Sequence, residues 1–155
     1  MISITARLNL PLEGLGAGEL LEACGLEIGG RVQKVIDQSV IDFCQPYVPA
    51  SPNRALEFSA QPSTEIGSGE VIWNTPYAHY QYMGIVYGPN FKVDVNGDGV
   101  LEWRSPKGKP KYPTGRELTY DTSQNQLAGP RWFERMKADR LNDLLNVAQR
   151  AIKEG

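Results

Sequence analysis

The sequence predicts an α+β fold, on three observations. Apolar residues alternate at the N-terminus, at Ile2, Ile4, Ala6, Leu8 and Leu10, the pattern of a half-buried strand. Helical spacing governs Gly18 to about Gln45 and again Pro130 to about Lys153. Between them lies a β-rich, turn-rich middle.

Each element follows from its residues. Pro11 and a glycine-rich turn end the first strand. Leu21, Cys24, Ile28, Val32, Val35, Val40 and Phe43 make the apolar face of the first helix. Gly29-Gly30 weakens its middle by about 1 kcal/mol per glycine relative to alanine, and a bend is expected there. Pro46 and Pro49 stop it. A short helix is expected over 51–59, with Ser51 as its cap and Pro52 in its first turn. Residues 63–74 read as two short strands around Ile66-Gly67-Ser68-Gly69-Glu70. Thr75 is placed to cap a helix over Tyr77–Met83, with Pro76 at its first position and Tyr77, Tyr80 and Met83 sharing a side.

A hairpin follows. Pairing Val95 with Leu101 and Val93 with Trp103 puts Phe91, Val93, Val95, Leu101 and Trp103 on one face, with Gly97-Asp98-Gly99 as the loop. Arg104 to Glu117 carries five bases against one acid and no apolar period, so it reads as an exposed loop. The last helix buries Phe133, Met136, Leu141, Leu144, Ala148 and Ile152.

The 155 residues suit one domain over 1–155, with 84–118 as a hairpin and basic-loop extension. No apolar run approaches the roughly 18–20 residues of a membrane span, and the first residues lack the layout of a secretory signal. A cytoplasmic product is expected. On one continuous helix Cys24 and Cys44 would stand about 30 Å apart, beyond the about 7 Å that a disulfide spans. The net charge of −2 does not mark a nucleic-acid binder. It is unevenly spread: nine acids and four bases up to Glu70, nine acids and twelve bases after it. That asymmetry suits packing against copies of the same chain or against differently charged neighbours.

Four motifs bear on chemistry. Asp94, Asn96, Asp98 and Glu102 are the candidate oxygen ligands of a calcium-binding module. The opening Asp94-Val95-Asn96-Gly97-Asp98-Gly99 fits a calcium loop, but the twelfth place holds Ser105 in place of a bidentate glutamate. A turn built from turn-forming residues is the plainer reading. Gly14-Leu15-Gly16-Ala17-Gly18 precedes a helix as a dinucleotide fingerprint does, but Glu19 stands at its third glycine and would repel a pyrophosphate. His79 is the single histidine and would be the base of a small hydrolase, yet no Gly-x-Ser-x-Gly elbow accompanies it. The basic loop (Arg104, Lys107, Lys109, Lys111, Arg116), with Trp103 and Tyr112 beside it, has the chemistry to meet phosphates or an acidic protein surface.

Three stretches carry a family resemblance: Tyr47-Val48-Pro49 through Arg54-Ala55-Leu56; Val71-Ile72-Trp73-Asn74-Thr75-Pro76-Tyr77-Ala78-His79-Tyr80-Gln81-Tyr82-Met83-Gly84; and Ala128-Gly129-Pro130-Arg131-Trp132-Phe133-Glu134-Arg135-Met136-Lys137-Ala138-Asp139. From about residue 18 onward the chain resembles the minor capsid proteins of tailed bacteriophages. It is similar to the tail-completion or head–tail joining (neck) proteins of long-tailed phages of Gram-positive bacteria. One departure stands at Pro49-Ala50-Ser51-Pro52-Asn53, where the family commonly has aspartate-threonine-glycine. The resemblance implies a curved antiparallel sheet, a long N-terminal helix packed across it, a C-terminal helix and an extended β-hairpin arm. It implies a virion protein assembled in the host cytoplasm, ring-forming, without catalytic residues or cofactor. Its partners would be copies of itself and the neighbouring head-connector and tail proteins, with neither nucleic acid nor membrane expected. Phe91, Trp103, Lys107, Lys109, Lys111 and Tyr112 are the expected subunit or neck contacts.

Overall fold

The computed structural model describes residues 1–5 and 16–155. The second half of the expected N-terminal strand and most of the first glycine-rich turn lie outside them. The fold is α+β, with small antiparallel sheets and a C-terminal helix. Strand β1 (Ile2–Thr5) pairs with β2 (Glu70–Trp73), Ile2 facing Trp73 and Ile4 facing Val71. Ile4, Val71 and Trp73 turn into the core.

The helix expected over Gly18–Gln45 is two helices, α1 (Ala17–Cys24) and α2 (Arg31–Cys44). Glycine makes the break. Gly25 takes the left-handed conformation (φ 70°), its amide donates to Glu22 O at 3.0 Å, and the Leu26 amide donates to Leu21 O at 2.8 Å. That closes the C-terminus of α1. The Gly25 carbonyl then accepts the Val32 and Gln33 amides at 2.8 and 3.1 Å, satisfying the first turn of α2. A bend in one helix is thus a full stop and a fresh start. The spacing inferred for the cysteines loses its premise; both thiols are free.

Helix α2 buries Val32, Ile36, Val40 and Cys44, the i, i+4, i+8 stripe of an amphipathic helix. It lies antiparallel to α6 (Trp132–Lys153). Arg31 at its start donates to the carbonyl of Ala151. Beyond its end, Tyr47 donates to Asp139 at 2.9 Å, and Arg140 stacks over Phe43 at 3.9 Å. Helix α6 kinks at Arg140 (φ −128°, ψ 18°). The kink shifts the stripe: Met136, Ala148 and Ala151 are buried, while Leu141 is 40% exposed. Trp132, outside the expected stripe, is the fully buried anchor.

Three shorter elements also depart from expectation. Helix α3 (Ala55–Phe58) starts later than Ser51, because Asn53 Oδ1 accepts the Ala55 amide at 3.2 Å. Residues 63–74 hold one strand, β2; its expected partner is replaced by α4 (Ala60–Ser63) and a turn. Helix α5 (Ala78–Met83) begins after Tyr77. Thr75 Oγ1 is buried without a hydrogen-bond partner among the described residues, and it is the Thr75 carbonyl that receives the Ala78 amide at 3.1 Å. The buried side of α5 is Ala78 and Tyr82.

The core is closed by aromatic edges. Trp132 meets Trp73 edge-on at 5.7 Å and Tyr82 at 4.6 Å between ring centroids. Tyr82 also donates to Glu134, and the Arg131 amide donates to Tyr82 O at 2.9 Å. Gly84 follows with φ 75°, where an added Cβ would fall 2.7 Å from Pro130; only glycine fits there. The stretches Val71–Gly84 and Ala128–Asp139 are thus parts of one packing unit.

Burial raises the affinity of several groups for their protons. It pushes the Cys44 thiol well above its ordinary range, with Glu134 adding to the effect. Tyr82 is pushed up by burial and by its bond to Glu134, Tyr47 by burial and by Asp139. Tyr120, which donates to Gln81 O at 2.6 Å, is pushed by burial up to about 12. In the unfolded chain a thiol titrates near ~8.5 and a phenol near ~10. Folding therefore favours the neutral forms. Their contribution is complete below the unfolded values and is lost as pH rises toward the folded ones. Urea unfolding followed across alkaline pH is expected to give constant stability up to about pH 8.5 and a steady fall above about pH 10. A flat profile through about pH 11 would refute this.

Candidate interaction surface

Residues 85–117 form two strand pairs. Strand β3 (Ile85–Gly88) pairs with β6 (Tyr112–Glu117), and β4 (Phe91–Asp94) with β5 (Leu101–Arg104), all antiparallel. With β1–β2 this makes three separate two-stranded sheets among the described residues, in place of the single curved sheet implied by the resemblance. Strand β6 falls inside the expected loop Arg104–Glu117. Every one of its side chains is exposed, so no alternation marks it. Its order comes from the backbone of β3 and from Thr114, whose hydroxyl donates to Val86 O at 2.6 Å.

The hairpin register differs by one residue from the apolar alignment. Asp94 faces Leu101, Val93 faces Glu102, Lys92 faces Trp103 and Phe91 faces Arg104. Paired residues share a face, so Trp103 and Leu101 sit on one side and Phe91 and Val93 on the other. The cause is Asp94. Its carboxylate accepts the Gly97 amide at 2.6 Å and the Gly99 amide at 2.9 Å, and Asp98 accepts the Val100 amide at 2.9 Å. These bonds fix a six-residue loop, 95–100, and the turn chemistry overrides apolar alignment. Lys92 then lies over the Trp103 ring at 5.1 Å.

The same bonds bear on the calcium candidate. Both Asp94 oxygens are turned onto backbone amides. Glu102 lies on the opposite face from Asp94 and pairs with Arg104 at 2.6 Å. No cluster of three acidic, histidine or cysteine side chains suited to a metal occurs among the described residues. His79 is exposed and packs edge-on against Tyr80 at 5.7 Å and Tyr87 at 6.0 Å. No hydroxyl or carboxylate is bonded to its ring among the described residues.

The six expected contact residues fall into two groups. Phe91, Trp103 and Tyr112 are 47%, 59% and 57% exposed, and Lys107 and Lys109 are exposed. Lys111 is half-buried and tethered. Its ammonium donates to Asn90 Oδ1 at 2.5 Å and to Ser105 Oγ at 2.7 Å, holding the start of β4 to the loop after β5. Its role is to shape the surface. Sequence reasoning missed Val100 as an exposed apolar group and placed Val95 and Leu101 on one face with Phe91, Val93 and Trp103; Val95, Val100 and Leu101 are all exposed. The aspartate-glycine signal at Asp94–Gly99 could have revealed this, had the side-chain cap been weighed against the apolar pairing.

Elsewhere in the fold, polar side chains tie the loops to the helices. Asp37, fully buried on α2, accepts the Gly67 and Gly69 amides at 2.7 and 3.1 Å and Gln33 Nε2 at 2.8 Å. Asn125 donates to Gln45 O and Val48 O at 3.0 and 2.8 Å, beside the pair of Arg54 and buried Glu57 at 2.7 Å. No helix among the described residues is long and apolar enough to cross a membrane. The surface is open, basic and aromatic. No protein-family model, curated protein or solved structure matches the chain.

Proposed function

We propose that this protein is a structural virion subunit, a minor capsid or tail-completion protein that joins phage head and tail by ring assembly, with no catalytic centre. One observation carries the reading. No side chain between Pro89 and Glu117 is fully buried, yet this stretch holds Phe91, Leu101, Trp103 and Tyr112 beside a run of bases. A large apolar side chain gains about 1.5–3 kcal/mol on burial. Several of them left in water on open strand edges favour a second surface. Segment 84–118 is read as the arm that reaches a neighbour, and its mechanism is complementarity of shape and charge. Two of the three resemblance stretches meet at Trp132, against Trp73 and Tyr82, which supports the same reading.

The test is electron microscopy of particles produced without this protein. Heads and tails that fail to join are expected. Normal numbers of tailed, infectious particles would overturn the reading.

A further inference from the structure

A second surface on the same chain complements the arm. Helix α1, the Gly25–Gly30 turn and the Ser68–Gly69 turn enclose a groove of about 240 Å³. Leu21, Leu26 and Ile28 line it, and Ile28 is 76% exposed at its rim. One acid, Glu27, lines the groove, and the segment that borders it is acidic. Between Gly16 and Gly30 the chain carries Glu19, Glu22 and Glu27 and no base. Glu19 and Glu22 are exposed. Glu27 Oε2 is buried against the groove without a hydrogen-bond partner among the described residues. A carboxylate oxygen removed from water and left unbonded is destabilising, and a donor from outside would recover that. Lys34 alongside Gly67 is a nearby base. The arm has the opposite character: Arg104–Arg116 carries five bases and no acid, with exposed Trp103 and Tyr112 beside them.

We propose that the basic, aromatic arm of one copy seats in the α1 groove of the next, with a lysine of the 107–109 turn meeting Glu27 and an arm aromatic covering Ile28. This deepens the ring reading, and rests on it for the choice of a second copy as occupant. The two surfaces are different patches, so the contact is head-to-tail. Such contacts close into a ring or extend as a filament, and do not stop at a symmetric dimer.

Charge reversal tests the contact on the full chain by sedimentation across concentration and salt. Two variants are needed, Lys107→Glu with Lys109→Glu and Glu19→Lys with Glu22→Lys; all four side chains are exposed, and circular dichroism checks that each variant folds. Association that weakens with salt is expected for the native chain. Each double reversal is expected to weaken it about tenfold or more. The chain carrying all four changes, or an equal mixture of the two variants, is expected to regain it. A native chain that stays monomeric at its highest soluble concentration overturns the proposal. So does association that ignores either reversal, or loss without recovery in the fourfold variant. Retention of nucleic acid lost on reversing the lysines, with self-association unmoved, also overturns it. Particles that fail to join when the protein is missing, together with a monomeric pure chain, would reject the groove contact alone and leave the virion role standing.

Discussion

Replacing Trp132 with alanine is expected to destabilise the fold by about 3–5 kcal/mol, the range for deleting a large aromatic from a closed core. Trp132 is fully buried and touches both Trp73 of β2 and Tyr82 of α5 edge-on. Its removal opens a void where strand, short helix and long helix meet. Such a loss is a large fraction of the 5–15 kcal/mol that holds a domain of this kind. Trp132→Phe separates packing from polarity. The indole Nε1 is buried without a partner among the described residues. Phenylalanine keeps most of the contact and removes an unsatisfied donor, an offset of about 1–3 kcal/mol. Urea unfolding should therefore place Trp132→Phe much closer to the native chain than Trp132→Ala. Equal losses in both variants would mean that the indole edge matters more than the ring's bulk.

Asp37→Ala is the second large effect. One carboxylate serves three donors: the amides of Gly67 and Gly69 and the side chain of Gln33. Alanine leaves the two buried amides without their acceptor, at about 1–3 kcal/mol each, so a loss of about 2–5 kcal/mol is expected. Asp37→Asn keeps one acceptor oxygen but points an amide at donors, and should fall between. Hydrogen exchange at Gly67 and Gly69 should rise in both variants. A change in unfolding free energy within about 0.5 kcal/mol, the level of an ordinary surface substitution, would show that the buried carboxylate is dispensable. Ser68 and Gly69 border the α1 groove, so loosening this turn should also weaken self-association.

How far the sequence reaches is clearest at three places. Helix α6 was legible because Phe133, Met136, Leu144, Ala148 and Ile152 keep helical spacing and face the core. Leu141 was misread because Arg140 bends the helix onto Phe43, a tertiary contact with no local signature. The break between α1 and α2 was half legible. Gly29-Gly30 suggested weakness, but the residue that ends α1 is Gly25, through a left-handed turn that composition alone does not disclose. Strand β6 was illegible, since a strand paired only through its backbone and exposed on every side chain writes no period in the sequence. For the surface, identity was readable and geometry was not. Phe91, Trp103 and Tyr112 are exposed as expected, but they do not share one face, because Asp94 sets the register.

The pairing of β1 with β2 has a consequence for how the molecule is made. Ile2 faces Trp73 and Ile4 faces Val71, so β1 waits about seventy residues of synthesis for its mate. Strand β3 likewise waits for β6. Loop closure over such spans precedes any reward from the contacts formed, and Trp132, which locks the assembly, arrives late in synthesis. The nascent chain therefore carries an unpaired strand edge until β2 is made, and the helix that sets Trp132 against Trp73 follows later still.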